Sequence, residues 1–334
     1  MTETVLVTGG AGYVGSHVCK ALSRSGFRPI AFDNLSNGHK WAVKWGPLVE
    51  GDVFDASLLT EVIKSSRPCA VMHFAAHIEV GESAKDPLKY YRNNVGGTLS
   101  LLTAMGAAGI DKLIFSSTCA IYGMVEAPVM TETCPQQPIS PYGHTKHVVE
   151  QILADLAAHR KLNYAALRYF NAAGADPDQE IGEAHNPETH LVPLAIEAAL
   201  NAGKGTAPLK IFGSDFSTPD GTAIRDYTHV CDLASAHVLA LQYLLRDGKS
   251  DGFNLGSGKG HSVLEVLEGL RALGLPVPAE KAARRPGDAP RLVADAAKAN
   301  AILDWRTQMS DLPTILSTAV AWHKAQAVKS RDVA

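Results

Sequence analysis

Thr4-Val5-Leu6-Val7-Thr8-Gly9-Gly10-Ala11-Gly12-Tyr13-Val14-Gly15 passes from strand-forming residues through a glycine-rich turn into a helical pattern. Thr4 to Thr8 reads as a buried strand, and Tyr13 to Ser25 has the apolar spacing of a helix. Between them Gly9, Gly12 and Gly15 fall in a G-x-x-G-x-x-G arrangement. Such glycines allow a tight turn and let bare amides approach a pyrophosphate, while the helix start adds partial positive charge. A glycine-rich match also fits an ordinary strand–helix turn; the strand before it and the helix after it supply the context for phosphate binding.

Asp33 extends the pattern. The second strand, Arg28 to Phe32, ends at this carboxylate, 18 positions after Gly15. There it is placed to accept from an adenosine ribose and to repel a 2′-phosphate, which favours NAD over NADP. Alone, Asp33 reads equally well as a turn-former, because it begins Asp-Asn-Leu-Ser-Asn-Gly. In Gly51-Asp52-Val53, Asp52 is positioned to reach an adenine.

The alternation continues with strands at Pro47 to Glu50, Ala70 to Phe74 and Lys112 to Phe115, the last ending at Ser116 and Ser117. Helices are expected over Ala56 to Ser66, Pro87 to Ala108, and Tyr142 to about Arg160, followed by a strand from Asn163 to Arg168. This period predicts right-handed crossovers and an α/β fold with a Rossmann-type, doubly wound parallel sheet. Residues 172 to 189 are polar, hold Pro177 and Pro187, and read as a loop. Further helices are expected at Leu191 to Ala202, Asp232 to Leu245, Val263 to Leu273 and Leu312 to Ala325. The predicted organisation is an NAD-binding domain over 1–172, with part of 226–256 returning to it, and a smaller α/β region over 173–334 that completes a pocket.

Composition narrows the function. Of 334 residues, 46% are apolar and 19% charged, enough for a core and unlike a disordered chain. A net charge of −3, from 34 acidic and 31 basic side chains, leaves no excess to displace phosphate counterions, so nucleic acid is not an expected partner. The start MTETVLVTGG lacks the basic region of a secretory signal. The longest uncharged run, Asn93 to Ile110, is broken by Gly, Thr and Ser, so no membrane segment is expected. Five dispersed cysteines show neither C-x-x-C spacing nor a disulfide framework, in keeping with reduced thiols in the cytoplasm. Thirteen histidines form no recognisable metal motif; His73, His77, His144 and His147 read as surface or pocket residues, and no metal is expected.

Tyr142-Gly143-His144-Thr145-Lys146 places a phenol and an amine on one helical face. A tyrosine titrates near pH ~10, so acting as a base near neutrality takes roughly 4 kcal/mol of phenolate stabilisation. A Lys cation beside it, with the positive ring of an oxidised nicotinamide, suits that task. A Tyr-x-x-x-Lys string on a solvated helix is also common by chance. Thr118, at the edge of the sheet where such folds bind ligands, offers a hydroxyl for a substrate oxygen or a simple strand-end cap.

With TGGAGYVG, FSSTCAIYG and YGHTK on the page, the chain resembles the extended short-chain dehydrogenase/reductase family. More narrowly, HFAAHIEVGES, YYRNNVGGT, LRYFNAAGA, DGTAIRDYTHVCDLA and RRPGDAP resemble segments of its UDP-glucose (UDP-galactose) 4-epimerases along nearly the whole chain. The resemblance implies an isomerase: Tyr142 removes the proton of the sugar 4-hydroxyl while NAD+ takes the C4 hydride, and the 4-ketose turns over and is reduced on its other face. Lys146 would hold the nicotinamide ribose and Thr118 would bond the 4-oxygen. By matching position, Gly9, Gly12, Tyr13, Val14, Gly15, Asp33, Asn34, Asp52, Val53, Phe74, Ala75, Ala76, Asn93, Thr118, Tyr142, Lys146 and Phe170 fall on cofactor contacts. Thr118, Tyr142, Asn171, His190, Leu191, Phe212, Arg225, Arg285 and Asp288 fall on UDP-sugar contacts, and two arginines suit a pyrophosphate. The resemblance also implies a homodimer built from two helices per subunit, one of them carrying Tyr142.

The sequence departs from the family pattern at His190, often Asn, and at Leu292, often Tyr or Cys, which touches the range of sugars accepted. UDP-xylose/UDP-arabinose and UDP-N-acetylglucosamine 4-epimerases are therefore alternatives. Dehydratases and decarboxylases of this fold need an acid after the active-site hydroxyl, where this chain has Cys119 and Ala120. A non-catalytic NAD sensor, the alternative from another class, would be expected to lose Tyr142 or Lys146.

Overall fold

The computed structural model describes residues 2–332 except 126, 160 and 286, with side chains described as far as 328. Arg160, the expected helix end, and Pro286 of the RRPGDAP segment lie outside the described residues.

Strands β1 (Thr4–Thr8), β2 (Arg28–Asp33), β3 (Leu48–Glu50), β4 (Ala70–His73), β5 (Lys112–Thr118) and β6 (Asn163–Tyr169) alternate with α1 (Tyr13–Arg24), α2 (Ala56–Ser66), α3 (Val80–Lys85), α4 (Pro87–Tyr90), α5 (Gly97–Ala108) and α6 (Pro141–Ala158). After the short β7 (Asn171–Ala173) come α7 (Leu191–Leu200), β8 (Leu209–Phe212), β9 (Ile224–His229), α8 (Val230–Leu245) and β10 (Asp251–Leu255). The chain ends with β11 (Gly260–Ser262), α9 (Val263–Ala272), β12 (Ala279–Ala282), β13 (Arg291–Leu292), α10 (Ala297–Ile302) and α11 (Leu312–Asp332).

Seven parallel strands form the main sheet in the order β10-β6-β5-β4-β1-β2-β3. This is the doubly wound, Rossmann-type arrangement expected from the alternation. Both faces are covered. Val5, Val7, Met72, Ile114 and Leu167 point to a core with α1 and α8 residues such as Val18, Leu22, Leu233 and Leu241. Leu6, Phe32, Val71, Leu113 and Phe115 point to the other, with Leu59, Ile63, Leu101 and Val149 from α2, α5 and α6. Such two-sided burial explains why the strands read as continuous apolar runs. β10 reaches the sheet from far downstream and pairs with β6, while α8 packs on α1.

A smaller region holds the sheet β11-β9-β13 with β7 on β9, and the β8–β12 pair. Its core joins Val192, Ile196, Tyr227, Val266, Leu270, Ile315 and Leu316. The long helix expected over Pro87 to Ala108 is interrupted by a π-helical turn at Tyr91–Gly96. The widened turn carries Asn94, whose side chain accepts from His77 N at 2.8 Å and donates to His77 O and Thr145 Oγ1, both at 3.0 Å. His73 also departs from its expected place in a pocket or on the surface. It is buried, Nδ1 lying 2.6 Å from Thr8 Oγ1 and Nε2 2.9 Å from Thr98 Oγ1, and burial pulls its imidazole down to about 3.

Glycine is obligatory in the first turn. A Cβ on Gly15 would stand 2.1 Å from the Gly9 carbonyl oxygen, and one on Gly9, whose φ is +74°, 2.6 Å from Ala75 N. Gly15→Ala is expected to cost about 1–3 kcal/mol or more through overpacking. Urea unfolding checks it, with Gly106→Ala on the open face of α5 as the tolerated control.

Candidate active site

The parallel register brings the C-terminal ends of the strands to one edge: Thr8 lies beside Phe32 and His73, His73 beside Phe115, and Thr118 beside Tyr169. The expected cofactor residues occupy the turns and helix starts along that edge. Gly12 opens α1 with no side-chain cap, so the first-turn amides at Tyr13 and Val14 face outward without an intrahelical acceptor. Asp33, 8% exposed, accepts from Ala11 N at 3.0 Å and Leu35 N at 2.8 Å, which aims the carboxylate beside the glycine turn; burial raises its pKa. Asn34 donates to Asp52 at 2.9 Å, linking the turns after β2 and β3, and Val53 is buried beneath them. Phe74 N bonds Thr8 O at 2.8 Å, bringing Phe74, Ala75 and Ala76 against the turn. Asn93 sits in the π turn and donates to Asn94 at 3.0 Å, while Phe170 is buried with Tyr122, Met130 and Ala294. Tyr13 reaches across to the smaller region, donating to Gly174 O at 2.6 Å.

Lys146 is 3% exposed and donates to the Ser116 carbonyl at 2.8 Å, with its ammonium 4.8 Å from the Phe115 ring centre. Burial pulls its amine down to about 7, opposed by the carboxylate of Glu150 one turn further along α6. Tyr142, in the first turn of the same helix, is pushed above the ordinary tyrosine range by burial and by Tyr169, with a Thr118 hydrogen bond acting the other way. Sequence reading assigns the acidification of the phenol to Lys146 together with a positive nicotinamide ring; it does not foresee the burial that opposes it. In the chain by itself, burial disfavours the charged form of both groups.

Sequence reading missed the support beneath this pair. Glu150 accepts from Ser117 Oγ and forms a buried ion pair with Arg168, whose Nη1 donates to Tyr122 OH at 2.9 Å. Tyr122 donates to Asn254 at 2.6 Å, and Asn254 to Met130 O at 2.9 Å. The spacing Tyr142-x3-Lys146-x3-Glu150 was the available signal for its first member.

The expected substrate residues divide. Arg225 pairs with Asp288 and donates to Ile224 O and Ala289 O at 2.9 Å, while Arg285 lies 4.4 Å over the Phe212 ring. Asn171 pairs in register with Tyr227 of β9, and Leu191 begins α7. His190 instead joins Glu183, His185 and Glu188, a cluster that the sequence reading did not single out. Leu292 packs with the group around Phe170. Cys119 is held up at about 12 by burial, so its thiol is a poor acid or nucleophile near neutrality.

The model of the NAD dependent epimerase/dehydratase family matches residues 5–256. The chain belongs to this family. It is 53% identical over 322 residues to a UDP-glucose 4-epimerase of Rhizobium leguminosarum bv. trifolii, covering 96% of this chain and 97% of that one. The crystal structure of UDP-glucose 4-epimerase from Brucella ovis in complex with NAD is 50% identical and superposes with a TM-score of 0.93, covering 96% and 98% of the two chains. A UDP-glucose-4-epimerase from Stenotrophomonas maltophila, with bound NAD and formylated UDP-arabinopyranose, is 40% identical with a TM-score of 0.94, covering 98% and 99%. The edge that gathers the family's glycine turn also gathers Thr118, Tyr142 and Lys146.

The lowered Lys146 pKa has a thermodynamic sign. Between pH 7 and the ordinary lysine value of 10.5, the unfolded chain binds a proton that the folded chain lacks, so this group's contribution to stability rises with pH. Below 7 its penalty is constant. Cofactor-free Lys146→Met is expected to gain most over the parent at pH 6, with the difference shrinking toward pH 10, as read by urea unfolding at several pH values.

Proposed function

We propose that the chain is an NAD-dependent UDP-glucose 4-epimerase that interconverts UDP-glucose and UDP-galactose, supplying nucleotide sugars in galactose metabolism. The observation that carries this reading is Thr118, Tyr142 and Lys146 at the end of β5 and the start of α6, beside a glycine turn with no side-chain cap. NAD suits the residues present. The bare glycine surface leaves room for a pyrophosphate, and Asp33 keeps acceptor capacity for a ribose. When bound, NAD+ reversibly accepts the hydrogen and electron pair of the sugar C4–H bond.

Tyr142 Oη takes the proton of the 4-hydroxyl and later returns it, and Thr118 Oγ1 orients that oxygen. Lys146 is the other charge in the pair: in the chain by itself its amine near 7 and the raised Tyr142 phenol disfavour the competent phenolate–ammonium form, which the positive ring of a bound NAD+ would favour. Ser116 O fixes the amine and the Glu150 carboxylate favours its cationic state. Arg225 and Arg285 hold the UDP pyrophosphate, with Asp288 and the Phe212 ring setting their directions. Asn171 and Leu191 complete the nucleotide-sugar wall, with His190 at the N-cap of α7 turned to Glu183 and Glu188. Gly9, Gly12, Tyr13, Val14, Gly15, Asn34, Asp52, Val53, Phe74, Ala75, Ala76, Asn93 and Phe170 line the cofactor. Cys119 and Ala120, directly after Thr118, give no acid for dehydration, which supports epimerisation within the family.

We further infer that residues 1–172 with the returning β10 segment form the cofactor module, that 173–334 mainly hold the sugar nucleotide, and that the enzyme works in the cytoplasm. Its five cysteines are unpaired, and among the described residues no helix is long and apolar enough to cross a membrane. Exposed Leu88 on α4 and Leu99 on α5 support a homodimer through this face and the Tyr142 helix. Sedimentation is expected to give a dimer at micromolar concentration; monomer alone would reject it.

Purified protein given UDP-galactose without added cofactor is expected to form UDP-glucose. Tyr142→Phe should lower kcat by about 10²–10⁴-fold while NAD remains bound, measured by absorbance after denaturation. Parallel incubations with UDP-xylose and UDP-N-acetylglucosamine set the sugar range; conversion of UDP-xylose alone, or a dehydrated product, would overturn the assignment.

A further inference from the structure

Between β7 and α7 the sequence Glu183-Ala184-His185-Asn186-Pro187-Glu188-Thr189-His190 interleaves carboxylates and imidazoles. The fold brings one donor atom from each of Glu183, His185, Glu188 and His190 within 4.8 Å of the others. His190 Nδ1 lies 2.7 Å from Glu183 Oε1 and 3.2 Å from Glu188 Oε1. His185 Nδ1 lies 3.2 Å from Glu183 Oε1 and 3.8 Å from Glu188 Oε2. A tetrahedral zinc with bonds of about 2.0–2.2 Å sets its donors roughly 3.3–3.6 Å apart; with Oε2 as the Glu188 donor, the separations of 2.7, 3.2 and 3.8 Å fall on either side of that spacing.

Direction and charge agree with distance. Glu183 Oε1 is buried and accepts no aligned hydrogen bond, although two imidazole nitrogens lie within 3.2 Å of it; His185 Nδ1 is also buried without one. Only His190 Nδ1 and Glu188 Oε1, 3.2 Å apart, make an aligned pair within the cluster. Close approach of two imidazole nitrogens to one carboxylate oxygen without N–H alignment leaves their lone pairs free to converge on a common ion. Without an ion the carboxylates favour protonated His185 and His190; a divalent cation displaces those protons and cancels the −2 of two carboxylates and two neutral imidazoles where Glu183 is only 4% exposed.

The frame around the donors is fixed. Trp322 Nε1 donates to Glu183 O at 2.9 Å, and His39 Nε2 lies 2.7 Å from Ala184 O. The backbone amides of Thr189 and His190 donate to Glu188 Oε1 at 2.8 and 2.9 Å, leaving Oε2 directed at His185.

We propose that Glu183, His185, Glu188 and His190 form a structural site for one divalent transition metal of the zinc type. Imidazole nitrogen with carboxylate oxygen suits such an ion, and four protein donors leave no open position for catalysis. The ion pins the 172–189 loop against the glycine turn, where the His185 ring meets Tyr13 edge-on at 6.2 Å.

Protein without a polyhistidine tag, dialysed against chelator, is titrated with Co2+ and then Zn2+. Uptake is expected to saturate at one Co2+ per chain with the intense visible bands of a tetrahedral site, bleached by Zn2+. His185→Ala should weaken uptake by more than the roughly 10–100-fold that loss of an outer-shell partner costs. His159→Ala, at an exposed histidine elsewhere, should bind as the parent does. Absence of one-to-one uptake by the parent chain, weak octahedral bands, or unchanged uptake in His185→Ala would each overturn the site. The parent titration depends on no variant folding, and none of these readouts depends on epimerase activity.

Discussion

The hydrogen bond from the buried Lys146 amine to the Ser116 carbonyl is the constraint on which the site depends. It fastens the first turns of α6 to the last residues of β5, so the helix carrying Tyr142 cannot move relative to the strand carrying Thr118. An amine with so little access to water would ordinarily be expelled or left neutral. Glu150, one turn along, supplies the opposing charge, and Arg168 keeps Glu150 from becoming an unpaired buried carboxylate. Tyr122 and Asn254 extend the support to β10, so the reacting edge is braced from beneath by polar groups rather than by hydrocarbon alone.

Much of the first half was legible because one rule governed each segment. In Thr4–Thr8, Ala70–His73 and the Leu113–Phe115 part of β5 the interior of the run is apolar because both faces are covered, and Gly9 follows the first where the chain leaves the sheet. Ala56–Ser66 was legible at both ends. The π turn at Tyr91–Gly96 was not, because composition there satisfies an α-helix; Asn94 widens it only once His77 and Thr145 stand beside it. The burial that raises the pKa of Tyr142 was missed for a related reason: spacing displays the neighbouring charge of Lys146 but not the loss of water.

The second half hid its strands behind polar residues. Ile224–His229 reads Ile-Arg-Asp-Tyr-Thr-His, yet Asp226 and His229 are fully buried. Asp226 is tolerated there because Ser257, Gly258 and Ala294 donate backbone amides to it at 2.8–3.1 Å, so a carboxylate works as a splice between β9 and two later segments. Patterns built on hydrophobic alternation miss such strands, since the partners that make the charge acceptable lie 31 and more residues away. The carboxylates and imidazoles between β7 and α7 escaped for the opposite reason: their spacing was visible, but no familiar motif has it.

The late arrival of β10 bears on how the polypeptide matures. β6 is complete at Tyr169, whereas the strand that shields its outer edge begins at Asp251. During synthesis on the ribosome, a nascent chain with its first six strands assembled therefore presents a bare row of amides and carbonyls along β6 until some eighty further residues have emerged. An unpaired edge in a partly built sheet is an invitation to pair with a neighbouring chain. That interval gives chaperones a defined reason to hold this enzyme while it is being made.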